Sequence, residues 1–136
     1  MDTKQLLVAD VMTIDPVCVG VDATLEDAAH LLHDNSISGL PVVDAAGALV
    51  GVLSQTDLVA VMESPIGRLV RTNSSGLRVG ELMSSPAVTV PLAGSLVEAA
   101  RVMVDARVHR VVAIDDDGRP VGVLSAIDFV RLFAEG

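Results

Sequence analysis

No tryptophan or tyrosine occurs among the 136 residues, and Phe129 and Phe133 are the only aromatic side chains. Neither is placed to stack on bases, which argues against the aromatic platforms that single-stranded nucleic acid uses. Positive charge is also scarce: 9 Lys and Arg stand against 18 Asp and Glu, for a formal net charge of −9. A nucleic-acid binder carries a basic face that releases counterions from phosphates, so nucleic acid is excluded as the main ligand. A few basic groups converging with a helix N-terminus can still hold one phosphate on an acidic protein.

Cys18 is the single cysteine, which leaves neither a disulfide framework nor a thiolate metal cluster. Asp2, Lys4 and Asp10 interrupt the short apolar stretch at the N-terminus, so no signal peptide is read there. No uncharged apolar run approaches membrane-spanning length. The expectation is a soluble, cytoplasmic chain that meets no membrane.

What is abundant is aliphatic: Val, Leu, Ala and Ile supply nearly all of the 51% hydrophobic content. β-Branched residues suit buried strands, and Ala and Leu suit helices packed on them, which points to an α/β or α+β fold. The dominant feature is an internal repeat. Val50-Gly51-Val52-Leu53-Ser54 returns as Val121-Gly122-Val123-Leu124-Ser125, an offset of 71 that also maps Met12 to Met83, Leu25 to Leu96 and Asp57 to Asp128. Residues 24–62 and 95–133 share 13 identities in 39 positions, against about 5–8% expected by chance, so the chain is a duplication. We divide it into a first repeat with its N-terminal segment over 1–62, a linker over 63–78 and a second repeat over 79–136. The linker holds Ser64-Pro65 and Asn73-Ser74-Ser75-Gly76, a turn-rich composition. Arg68, Arg71 and Arg78 are read there as a solvated face.

Each repeat opens with a helical turn ending at Val11-Met12 or Leu82-Met83, and a proline then imposes an extended segment at 17–19 or 87–89. A helix starts at Thr24 or Ser95, each an N-cap residue with an acid three positions on. Two strands follow, at 40–43 and 48–53, and again at 111–114 and 120–124. The turns between them, Asp44 to Gly47 and Asp115 to Gly118, have hairpin chemistry. The strand runs are apolar throughout, so both faces are expected to be buried. A second helix begins at Ser54 or Ser125. One such unit of about 55 residues is marginal alone. Two are therefore expected to share a core as tandem βαββα repeats related by a pseudo-two-fold axis, with leftover apolar helix faces driving homodimerisation.

Several motifs carry no chemistry. His30 and His33 share a helix face but lack further ligands for a metal. Asp115-Asp116-Asp117-Gly118 lacks the later ligands of a calcium loop. Neither a Gly-rich Rossmann or P-loop turn nor a nucleophile–base set is present, so no enzyme and no catalytic cofactor are expected. Met12 and Met83 are read as packing.

Ser38-Gly39-Leu40-Pro41-Val42-Val43-Asp44 and Gly51-Val52-Leu53-Ser54-Gln55-Thr56-Asp57 resemble the two signature stretches of cystathionine-β-synthase (CBS) domains. Val108-His109-Arg110-Val111-Val112-Ala113-Ile114-Asp115 and Gly122-Val123-Leu124-Ser125-Ala126-Ile127-Asp128 resemble them again, so the chain looks like a CBS pair, or Bateman module, over nearly its whole length. The resemblance implies AMP, ADP, ATP or S-adenosylmethionine bound between the repeats, in order to regulate another protein. On the residues alone, Ser54-x-x-Asp57 and Ser125-x-x-Asp128 are helix caps. The resemblance makes each Asp a grip on a ribose diol as well.

Carried over by resemblance, one site uses Val52, Ser54, Thr56 and Asp57 against Ser84, Pro86, Val88, Val108 and His109, with Arg110 reaching the phosphate. The second, weaker site uses Val123, Ser125, Ile127 and Asp128 against Thr13, Pro16, Cys18, Ile37 and Ser38. The weakness is read from Ser38-Gly39 standing where the other repeat has His109-Arg110. A solvated His109-Arg110 pair, or one joined to Asp105, is the plainer alternative. So is a protein-interaction module that dimerises with its sites empty.

Overall fold

Thr24 and Ser95 start the two long helices as their side chains require. Thr24 Oγ1 accepts from the Asp27 N–H at 3.0 Å, and Asp27 Oδ2 accepts from the Thr24 N–H at 3.3 Å. Ser95 Oγ accepts from the Glu98 N–H at 3.0 Å. Each hydrogen bond satisfies a donor that the first helical turn leaves unpaired. In the computed structural model, which describes residues 5–63 and 77–135, the elements in chain order are α1 (Val8–Val11), β1 (Thr13–Ile14), β2 (Val19–Gly20), α2 (Leu25–Asp34), β3 (Gly39–Val43), β4 (Leu49–Ser54) and α3 (Gln55–Glu63). Then come α4 (Val79–Leu82), β5 (Thr89–Pro91), α5 (Leu96–Ala106), β6 (Arg110–Ile114), β7 (Pro120–Ser125) and α6 (Ala126–Glu135). The mixed α+β order is that expected from the repeat. Linker residues 64–76, with Arg68 and Arg71, lie outside the described residues.

The chain divides into two compact units that do not follow repeat order. The first unit joins Met1–Pro16 to Val88–Gly136, and the second is Val17–Ala87. In the second unit, β2 runs parallel to β3 and β3 antiparallel to β4, with Leu40 opposite Leu53. In the first, the sheet order is β1-β7-β6-β5, with Val111 opposite Leu124. The opening segment of each repeat thus packs with the body of the other. Val8 and Ala9 donate to the carbonyls of Gly94 and Leu92, while Val79 and Gly80 donate to those of Ala23 and Val21. Val8 joins Val90, Leu96, Ala99, Met103, Val111 and Leu124 in one core, and Val79 joins Val19, Ala28, Leu32, Leu40 and Leu53 in the other.

Burial corrects one expectation. β3 and β6 are buried along their centres, but β4 and β7 alternate, with Gly51 and Leu53, or Gly122 and Leu124, inward and their neighbours half-buried. Their apolar runs therefore do not mean two dry faces; the half-buried side carries Val52 and Ser54. The hairpin turns are as expected: Gly47 and Gly118 hold φ of 87° and 77°, a region open to glycine. Asp44 Oδ1 accepts from the N–H groups of Ala46 and Ala48, and Asp115 Oδ1 from those of Asp117 and Arg119.

The glycine of each Val-Gly-Val run is a slot for the incoming segment. A methyl at Gly51 would lie 2.6 Å from Met83 Sδ and 2.8 Å from the Ser84 carbonyl oxygen, and one at Gly122 would meet Met12 and Thr13 in the same way. The two recurring methionines are packing residues, as read, and each fits only where the strand has no Cβ. Gly51→Ala should therefore cost about 1–3 kcal/mol in urea unfolding, the usual penalty of overpacking. Gly20→Ala, where a methyl meets nothing within 4 Å, should stay within about 0.5 kcal/mol of the parent. Equal stability of the two variants would show that the Gly51 contact is not tight.

Candidate ligand-binding site

Where β4 passes into α3, Ser54 and Asp57 cap the helix reciprocally. The Ser54 N–H donates to Asp57 Oδ2 at 2.8 Å, and the Asp57 N–H donates to Ser54 Oγ at 3.3 Å. Ser54 Oγ also shares a hydrogen bond of 2.7 Å with Thr56 Oγ1. Ser54 and Asp57 are half-buried and Thr56 is exposed, so hydroxyls and carboxylate form a polar rim at the helix start. The cap consumes one lone-pair direction of the carboxylate and fixes its orientation, leaving acceptor capacity for a ligand diol.

The exchanged segment comes to this rim. Val52 and Ser84 pair through N–H to carbonyl bonds of 3.0 and 2.9 Å, and Ser85 Oγ donates to the Val50 carbonyl at 2.9 Å. Val52, Ser54, Thr56, Asp57, Ser84 and Pro86 thus belong to one compact unit, with Ser84 and Pro86 exposed. Ser84, expected on the wall opposite Val52, is its direct backbone partner through the segment exchange. Cys18, Ile37 and Ser38 lie in the same unit, all half-buried. Ser38 accepts from the Gln55 N–H at 2.9 Å, and burial pushes the Cys18 thiol pKa up, away from reactivity.

The first unit contains Thr13, Pro16, Val88, Val108, His109, Arg110, Val123, Ser125, Ile127 and Asp128. Thr13 lies opposite Val123, and Val88 accepts from the Val112 N–H at 3.1 Å. Asp128 Oδ2 accepts from the Ser125 N–H at 2.8 Å and from Ser125 Oγ at 3.2 Å, and Arg131 Nη1 stands 3.7 Å from Asp128 Oδ1. His109 is exposed, and its carbonyl accepts from the Ala126 N–H at 2.8 Å. Arg110 lies across from Ser125 in the sheet register, the place that Gly39 takes opposite Ser54. Arg110 is half-buried, and partial desolvation draws its pKa below the usual arginine value. A guanidinium shielded from water interacts more strongly with an anion.

Two residues of these sites went unnoticed in the sequence, Ser85 and Arg131. Arg131 was findable, since Asp128 and Arg131 have the i,i+3 spacing of helical ion pairs. His33 is exposed and pairs with Asp34 at 3.2 Å. Among the described residues no group of three or more His, Cys, Asp or Glu side chains is arranged to hold a metal, and no helix is long and apolar enough to cross a membrane.

Comparison with known proteins agrees with this arrangement. The CBS domain profile matches residues 8–64 and 79–135. A CBS domain-containing protein of Dictyostelium discoideum is 31% identical over 134 residues, covering 94% of this chain and 91% of its own. The crystal structure of CBSX2 in complex with AMP is 30% identical with a TM-score of 0.80, covering 95% of this chain and 96% of that one. Against the full chloroplastic CBSX2 of Arabidopsis thaliana, this chain spans 54% of the length at 29% identity. The CBS domain pair of protein MJ0100, in complex with 5′-methylthioadenosine and S-adenosyl-L-methionine, is 25% identical with a TM-score of 0.80, covering 96% and 97%. By its doubled profile match and its fold, the chain belongs to the CBS domain family.

Proposed function

We propose that this chain is a regulatory sensor for an adenine nucleotide, with AMP the first ligand to test, then ADP and ATP. The observation that carries the reading is the polar rim of Ser54, Thr56 and Asp57, next to the paired backbones of Val52 and Ser84, in a chain similar along 95% of its length to AMP-bound CBSX2. Asp57 accepts the ribose diol, and Ser54 and Thr56 add hydroxyl contacts. The family resemblance assigns the phosphate to Arg110 and the adenine to Val88, Val108 and His109. Thr13, Pro16, Cys18, Ile37, Ser38, Val123, Ser125, Ile127 and Asp128 make the weaker site, which takes a less anionic ligand such as S-adenosylmethionine. No chemical step is assigned to either. Binding alters output only if the ligand favours one arrangement of the protein over another, and the output is the regulation of a protein in the cytoplasm.

Calorimetry with AMP tests this directly. Asp57→Asn keeps a capping oxygen but loses the charge. A charge-assisted hydrogen bond is worth about 1.5–3 kcal/mol, so affinity should fall at least about tenfold. Asp128→Asn should change it little, and Arg110→Ala should weaken AMP while sparing adenosine. Equal losses at the two aspartates, or no AMP binding by the parent, would overturn the assignment.

A second reading is favoured by one face of α6. Ile127, Val130 and Phe133, three residues apart, are 51%, 58% and 75% exposed and form a stripe without charge. Such a stripe marks an interaction surface, and an uncharged face is self-complementary under two-fold symmetry. We propose a second copy of this chain as its occupant. Sedimentation velocity at micromolar concentration should show a dimer that Val130→Glu converts to monomer. A monomeric parent would remove the proposal without touching nucleotide binding.

A further inference from the structure

The two Ser-x-x-Asp turns come from one duplicated sequence, yet their carboxylates are in different states. Asp57 is half-buried, and its hydrogen bond from a protein donor comes from the Ser54 N–H. Among the described residues it forms no ion pair. Asp128 is only 7% exposed. Its Oδ2 accepts both the N–H and the hydroxyl of Ser125, and its Oδ1 faces the guanidinium of Arg131 at 3.7 Å. Both oxygens that a ribose diol would need are therefore engaged.

Two substitutions between the repeats produce the difference. The position of Arg131 is held in the first repeat by Ala60, which carries neither charge nor reach. The position of Ile127 is held by Thr56. The Thr56 hydroxyl shares a hydrogen bond with Ser54 Oγ, drawing it away from the carboxylate. Ile127 offers none, and Ser125 Oγ turns to Asp128 instead.

From this we infer that Arg131 is a specificity-determining residue of the sensor: an internal cation that competes for the carboxylate of the second turn and weakens its hold on a ribose, while Ala60 leaves the first turn open. The inference rests on the adenylate reading of these turns. It is independent of the His109-Arg110 asymmetry, because it concerns the sugar end of the ligand and not its phosphate. Arg131 is itself 65% exposed, so the pair is no buried lock. An exposed ion pair contributes at most about 1 kcal/mol, which sets the expected selectivity at about fivefold.

The test is a titration of the full chain with adenosine, which has no phosphate to respond to the loss of a positive charge, and in parallel with AMP. Amide resonances of Ser54–Asp57 and Ser125–Asp128 report the two turns separately. Arg131→Ala should tighten adenosine about fivefold at the Asp128 turn and leave the Asp57 turn unchanged. Ala60→Arg, at an exposed helical position that tolerates arginine, should weaken the Asp57 turn by a similar factor. Unchanged or weaker binding at the Asp128 turn of Arg131→Ala, with the Asp57 turn still binding, overturns the role of Arg131 and leaves the sensor reading intact. So does an Asp57 turn indifferent to Ala60→Arg. Silence of both turns toward both ligands, in the parent and both variants, overturns the sensor reading and this inference with it.

Discussion

Each unit depends on a methionine-bearing segment lying against a strand at a point without a side chain. Met83 crosses β4 over Gly51, and Met12 crosses β7 over Gly122. The contact brings the backbone of Ser84 close enough to pair with Val52, and that of Thr13 close enough to pair with Val123. It also delivers Val79 and Val8 to positions with no exposure in the two cores. Because each segment comes from the other repeat, neither repeat closes its own hydrophobic face. A unit of about 55 residues has little burial to spare, so the exchange makes the two halves of the chain depend on each other for folding.

The same contact determines which polar groups become neighbours. The half-buried side of β4 carries Val52 and Ser54 toward the incoming Ser84, and the strand ends where Ser54 caps α3. A carboxylate in a reciprocal cap has already lost its rotamer freedom. A ligand that uses its remaining oxygen does not have to immobilise it again, which is the usual advantage of a preorganised group. On the proposed reading, capping and ligand binding at Asp57 are therefore cooperative uses of one geometry.

Much of this was legible in the sequence because it is local. The repeat, the caps at Thr24 and Ser95, the hairpin glycines and the helices starting after Ser54 and Ser125 all depend on residues within a few positions of one another. The exchange was not legible, for a physical reason. Val8 and Val79, like Met12 and Met83, occupy equivalent places in nearly equivalent segments, so hydrophobic pattern alone lets either segment cap either sheet. Burial of β4 and β7 was not legible because an apolar run does not reveal which of its faces stays half-buried. Arg110 beside Ser125 is a matter of strand register, and its desolvation follows from neighbours that are distant in sequence.

Comparing the two repeats with each other separates what the fold needs from what a ligand would select. Many core positions are held by the same residue in both copies, as at Leu25 and Leu96, Ala28 and Ala99, Leu53 and Leu124, and Val8 and Val79, and where they differ, as at Leu32 and Met103, Leu40 and Val111 or Val42 and Ala113, both residues are apolar and buried. The slot glycines and their methionines are held as well. At the capped turns the backbone geometry is kept by Ser and Asp, while the residues around them differ in hydrogen-bonding capacity or charge: Thr56 against Ile127, Ala60 against Arg131, Ser38-Gly39 against His109-Arg110. Thr56, Ala60, Ile127 and Arg131 are all exposed, so packing does not dictate them. Differences gathered at two otherwise equivalent turns give one open carboxylate and one engaged carboxylate on the same scaffold. A duplicated fold can in this way distinguish its two turns while its core stays apolar throughout.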